Sequence, residues 1–134
     1  MKTKMKDEPS VKVLLHVEQY GVNIIAGRLS GPADNPSGAE MALLTLYGVS
    51  DPPQITFRVR VYPDATKLPE ATYLPAQNVV EMSFNWCQFE RVMSLLATAQ
   101  AAHAQYRVDD GKVYADVHGE FSRAKRKSKT RKRR

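Results

Sequence analysis

The chain has a single cysteine, Cys87, in 134 residues. That excludes an internal disulfide and fits a reducing cytosol. Long apolar runs are also missing. None approaches the roughly 20 residues that a membrane-spanning helix needs, so no membrane partner is expected. Residues 1–10 (MKTKMKDEPS) carry lysines with no apolar stretch behind them. They read as a polar leader, not a secretory signal. No C-x-x-C, H-E-x-x-H, P-loop or G-x-G-x-x-G string occurs, which removes the common redox, zinc-protease and nucleotide signatures. The three histidines, His16, His103 and His118, are far apart in sequence, and their spacing predicts no metal site. No cofactor is expected.

Acidic side chains are absent from residues 123–134 (RAKRKSKTRKRR), where nine of the 20 lysines and arginines are collected. The remaining 11 face 14 acids, so residues 1–122 carry a formal charge of −3. The overall charge of +6 therefore belongs to a cationic tail attached to a mildly acidic body. Residues 11–122 are long enough for one domain with its own core. Nine like charges in twelve residues repel one another and cannot bury apolar surface, so the tail is expected to be disordered unless a partner holds it.

Hydrophobic spacing predicts an α+β fold, a mostly antiparallel sheet packed against one main helix. Residues 11–17 and 22–28 read as strands joined by a turn at Gln19, Tyr20 and Gly21. Residues 30–38, dense in Gly, Pro, Asn and Asp, read as a loop. Residues 41–49 suit a buried strand, with a short helix as the alternative. Asp51, Pro52 and Pro53 turn the chain. Residues 55–62 form the clearest strand: Ile55, Phe57, Val59 and Val61 share one face, and Thr56, Arg58, Arg60 and Tyr62 share the other. An extended loop over 64–78 and a strand over 79–83 follow.

A helix is predicted from Asn85 to about Arg107. Asn85 and Gln88 have capping-box spacing. Phe89, Val92, Met93, Leu96 and Gln100 make a stripe, and the alanine-rich second half has high helix propensity. Residues 106–108 and 112–117 then read as a hairpin through Asp110 and Gly111. The small side chains of the alanine-rich half would let two copies approach closely, which leaves room for a homodimer.

Chemistry-bearing candidates are few. The tail cations Arg123, Lys125, Arg126, Lys127, Lys129, Arg131, Lys132, Arg133 and Arg134 suit phosphate contact, with counterion release and steep salt dependence. A solubilising segment or a docking strip for an acidic protein are the alternatives. Arg58, Arg60 and Tyr62 would stand in a row on an open sheet face, a surface that can hold single strands by phosphate contact and stacking. A solvated face gives the same alternation. Cys87 falls in a first helical turn, where a thiol can be activated, but no base stands at catalytic spacing. Trp86 and Phe89 suit anchoring of the helix. Asp109 and Asp110 lie in a turn, where aspartate is favoured for backbone reasons. No catalytic residue is assigned, and an enzyme is not expected.

The string 80–89 (VEMSFNWCQF), followed by a helix and then 106–112 (YRVDDGK), resembles a module of small uncharacterised phage-encoded proteins. In that module a strand ending in Glu-x-Leu/Met-Ser leads to an aromatic-led helix and a strand with Arg-x-x-Asp-Gly. The order of elements is also similar to coactivator and whirly-type single-strand binders. These resemblances imply a phage or mobile-element origin and a cytoplasmic place in a bacterial or phage-infected cell. The first function expected is a non-enzymatic nucleic-acid-binding accessory protein, for DNA or RNA, single-stranded or duplex. Two alternatives stay open. One is a protein-interaction module that inhibits a host defence or transcription complex, with an acidic or nucleic-acid-binding protein as partner. The other is a structural component of a nucleoprotein or capsid assembly.

Overall fold

The computed structural model describes residues 10–25 and 40–121. The expected leader, the loop over 30–38 and the tail over 123–134 lie outside them. Among the described residues, seven strands and one α-helix form an α+β fold: β1 Val11–Ile24, β2 Ala42–Asp51, β3 Thr56–Tyr62, β4 Thr72–Leu74, β5 Val79–Asn85, α1 Trp86–Thr98, β6 Ala101–Asp109 and β7 Lys112–Glu120. A 3-10 turn, Pro75–Gln77, joins β4 to β5. The sheet order is β4-β5-β3-β2-β1-β6-β7. All neighbours are antiparallel except β3 and β5. Among the described residues no helix is long and apolar enough to cross a membrane.

The sheet curls strongly. β4 and β6 are five places apart, which in a flat sheet is roughly 24 Å at the usual strand spacing. Yet the rings of Tyr73 on β4 and Tyr106 on β6 are 6.1 Å apart between centroids. The concave face holds the core, including Val13, Leu15, Leu44, Phe57, Val59 and Val80, all essentially buried. Helix α1 carries the chain from β5 across to β6 and packs Phe89 and Val92 into this concavity. Its start is fixed by the expected capping box: Gln88 N–H donates to Asn85 Oδ1 at 2.8 Å, and Asn85 N–H donates to Gln88 Oε1 at 2.9 Å.

Three expectations need correction. First, the helix ends at Thr98, not near Arg107. Residues 101–109 form β6, hydrogen-bonded between β1 and β7. Ala102, Ala104 and Tyr106 alternate into the core, so two strand partners override alanine's helix propensity. The small side chains let the helix sit close to the sheet. Leu95 and Ala99 press onto Gly119, where an added Cβ would lie 2.8 Å from the Ala99 Cβ. The helical alanine face on which the homodimer expectation rested is not formed.

Second, Gln19, Tyr20 and Gly21 do not turn. They pair with Tyr47, Leu46 and Thr45 within one long β1. The irregularity falls earlier, as a bulge between Val17 and Gln19 opposite Gly48. A Cβ on Gly48 would lie 1.9 Å from the His16 carbonyl oxygen, so only glycine fits. Third, the loop over 64–78 contains β4 and the 3-10 turn. The strand reading of 41–49 holds as β2. The two-residue turn holds as well: Asp110 and Gly111 have φ of 53° and 75° between the paired Asp109 and Lys112.

Candidate functional site

The convex face of the sheet is open, and its polar side chains form two groups. The first lies on β3 and β5. Arg58 and Arg60 project outward from β3 as alternation requires, because Phe57, Val59 and Val61 fill the core side. Both arginines meet carboxylates. Arg58 Nη1 donates to Glu81 Oε2 at 3.1 Å. Arg60 Nη2 donates to the same oxygen at 3.1 Å, and Arg60 Nη1 donates to Glu40 Oε2 at 2.6 Å. Glu40 is buried. Burial works against the Arg60 charge, but hydrogen bonds to Glu81 and Glu40 outweigh it and raise the pKa. Tyr62, at 5% exposure, is no stacking surface. Its phenol pKa is raised by burial and then by Glu40, against a lowering by Arg60 and a hydrogen bond with Ser83. The expected row of Arg58, Arg60 and Tyr62 is thus two ion-paired arginines and a buried tyrosine.

The second group lies on β1, β6 and β7. The register places His16 opposite His103 and His103 opposite His118. Residues facing each other across neighbouring strands point to the same side, so the three histidines form one file. The His16 and His103 ring centroids are 5.2 Å apart, and those of His103 and His118 are 5.4 Å apart. Beside the file, Asp116 accepts hydrogen bonds from Tyr114 Oη at 2.6 Å and from Gln105 Nε2 at 3.3 Å, and its Oδ1 lies 2.9 Å from His118 Nδ1. Burial pushes the Asp116 pKa up, and the bonds from Tyr114, His118 and Gln105 push it down by more, leaving it below the usual carboxylate range. Tyr114 is shifted the other way, chiefly by its bond to Asp116. The Arg107 guanidinium stands 4.9 Å above the Tyr114 ring and 3.5 Å from Asp109. An open groove of about 440 Å³ runs along the file, with Leu14, Val49, Asp51 and Glu120 on its walls.

The sequence did not reveal this convergence. The erroneous helix put His103 on a different kind of element from His16 and His118. The alternation Ala102, Ala104, Tyr106 against His103, Gln105, Arg107 was the signal that could have found it.

Cys87 is exposed in the first turn of α1, and its backbone N–H donates to Asp64 Oδ1 at 2.9 Å. The Trp86 and Phe89 rings meet at a tilt, 5.1 Å between centroids, with Phe89 in the core, as an anchor for the helix. The nine tail cations lie outside the described residues. The body reaches them through β7, an edge strand ending at Glu120. No known protein family, curated protein or solved structure matches the chain.

Proposed function

We propose that the protein is a non-enzymatic nucleic-acid-binding accessory protein that grips backbone phosphates mainly through the cations of residues 123–134. The observation that carries this reading is the division of charge. The body over residues 1–122 is net acidic. Its most regular pair of outward arginines, Arg58 and Arg60, is engaged by Glu81 and Glu40. The cations without intramolecular acids in their own segment are those of the tail. The tail follows β7, the edge strand four places from β3 in the sheet order. The tail's edge also carries the exposed Tyr114 with Arg107 stacked on it, a surface able to add base stacking to phosphate contact.

The test is truncation after Ser122, with binding to single-stranded and duplex DNA and RNA measured at two salt concentrations. Nine phosphate contacts would give a log–log salt slope of about −8 on duplex and about −6 on single strands. The truncated chain should lose most of its affinity and nearly all of that slope. Unchanged affinity overturns the reading. Absence of any nucleic-acid binding by the full chain at low salt overturns it in favour of a protein partner.

A further inference from the structure

We propose that two copies of this chain join edge to edge through residues 18–24 of β1, which overhang the rest of the sheet. β1 pairs with β6 only as far as Val17, opposite Ala102. Its pairing with β2 continues to Ile24, opposite Ala42. The bulge between Val17 and Gln19 marks the change, since an extra residue disrupts the ladder. Beyond it, β2 is the one strand beside β1 among the described residues. The backbone N–H and C=O groups on the other edge have no strand partner there, which makes that edge a template for another strand.

The sheet's two outer edges are blunted, and the overhang is not. β4 is three residues long, and β7 carries Lys112, Asp116 and Glu120. Short strands and charged side chains both discourage edge pairing. Residues 19–25 (QYGVNII) hold no charge and no proline. Their apolar side chains are open as well. Tyr20 and Ile24 lie opposite Leu46 and Ala42, which are fully buried, yet they are themselves 41% and 61% exposed. The core layer thus runs out to this edge and stops with apolar surface uncovered.

The occupant that fits is a second copy of the same segment, because antiparallel pairing of identical strands about a two-fold axis is self-complementary. With Val22 on that axis, Tyr20 faces the partner's Ile24, Ile24 faces the partner's Tyr20, and Val22 faces the partner's Val22. Directly opposed residues share a face, and aromatic with β-branched is a favoured pair. Gly21 then faces the partner's Asn23 on the other side, where a Cβ on Gly21 would meet nothing within 4 Å. The lack of charge suits this pairing, because a charge near the axis would meet its own copy. A hollow of about 150 Å³ lies beside Tyr20, with Leu96, Ala99 and Ala101 among its walls. In this register the partner's Ile24 is the side chain carried toward it.

The experiment is sedimentation of the full chain, freed of nucleic acid, from about 1 to about 100 μM. High salt screens contacts of the cationic tail, so the result does not depend on nucleic-acid binding. The mass should rise with concentration toward twice the 15.1 kDa of one chain. Tyr20→Glu with Ile24→Glu puts like charges opposite each other twice and should raise the dimer dissociation constant at least about tenfold. Tyr20→Lys with Ile24→Glu makes both pairs opposite in charge and should recover much of that loss. Circular dichroism checks each fold, and Ile24→Glu alone, at the more exposed position, repeats the test should the double Glu variant unfold. A single 15.1 kDa species at every concentration overturns the proposal. So does a dimer that the Glu substitutions leave intact, or a Lys–Glu variant that pairs no more tightly than the Glu–Glu one.

Discussion

Glu40 and Arg60 are joined at 2.6 Å, the carboxylate buried and the guanidinium about one-third exposed. The pair ties the segment before β2 to the outer face of β3. Removing one partner of such a pair leaves the other charge desolvated and unmatched. Glu40→Ala should therefore destabilise the protein by about 1–3 kcal/mol, a value below that of a fully buried pair because Arg60 reaches solvent. Chemical denaturation read by circular dichroism measures it. A loss under about 0.5 kcal/mol would show that Arg60 is held by Glu81 alone.

Arg58→Ala with Arg60→Ala should lower stability yet leave nucleic-acid affinity within about threefold and the salt slope nearly unchanged, since neither guanidinium adds a free cation to a phosphate site. The same binding assay that compares the full and truncated chains reads this. A fall in single-strand affinity comparable to that of truncation would place β3 in the binding surface after all.

Much of the fold was legible because alternation is a strong signal when only one sheet face is buried. Residues 55–62 show it: Phe57, Val59 and Val61 are fully buried, as their spacing requires. The cap at Asn85 and the turn at Asp110 and Gly111 were legible for local reasons, a side chain of fixed reach and a backbone that needs positive φ. What failed was decided by distant partners. Ala101–Asp109 has the composition of a helix, and it is a strand because β1 and β7 flank it. The continuity of β1 past Gly21 depends likewise on β2. The acids facing Arg58 and Arg60 come from positions 40 and 81, beyond any local pattern. The histidine file was hidden by the same error that hid β6.

Gly48 tests the bulge. Its position under the His16 carbonyl leaves no room for a side chain. The obstacle is backbone, so it cannot rotate away. Gly48→Ala should cost more than about 2 kcal/mol, at the upper end of overpacking effects. Gly21→Ala is the control, because a Cβ there meets nothing within 4 Å. It should change stability by less than about 1 kcal/mol. Melting curves of the two variants make the comparison, and equal losses would remove the bulge from the account.

Asn85→Ala removes one half of the capping box at the start of α1. The expected loss is about 1 kcal/mol. Because the cap is exposed and local, the variant should keep the fold and show the loss only in its denaturation midpoint. No shift in that midpoint would mean that the contacts of Trp86 and Phe89 alone set the helix start.

Asp116 links the histidine side of the sheet to pH. Its folded pKa lies below the ordinary value because Tyr114, His118 and Gln105 hydrogen-bond to its charged form, against the opposing effect of burial. A carboxylate with a depressed folded pKa binds fewer protons folded than unfolded as pH falls through this range. Its contribution is therefore complete above the unfolded value of about 3.9 and is lost as pH drops through the lower folded value. Partial exposure limits it to about 1 kcal/mol. Asp116→Asn should thus be less stable than the unmodified chain at pH 7, and the difference should shrink steadily below about pH 4. Denaturant melts of both proteins at pH 7, 4 and 2.5 read the trend. A difference that stays constant down to pH 2.5 would show that the carboxylate acts through shape and not through its charge.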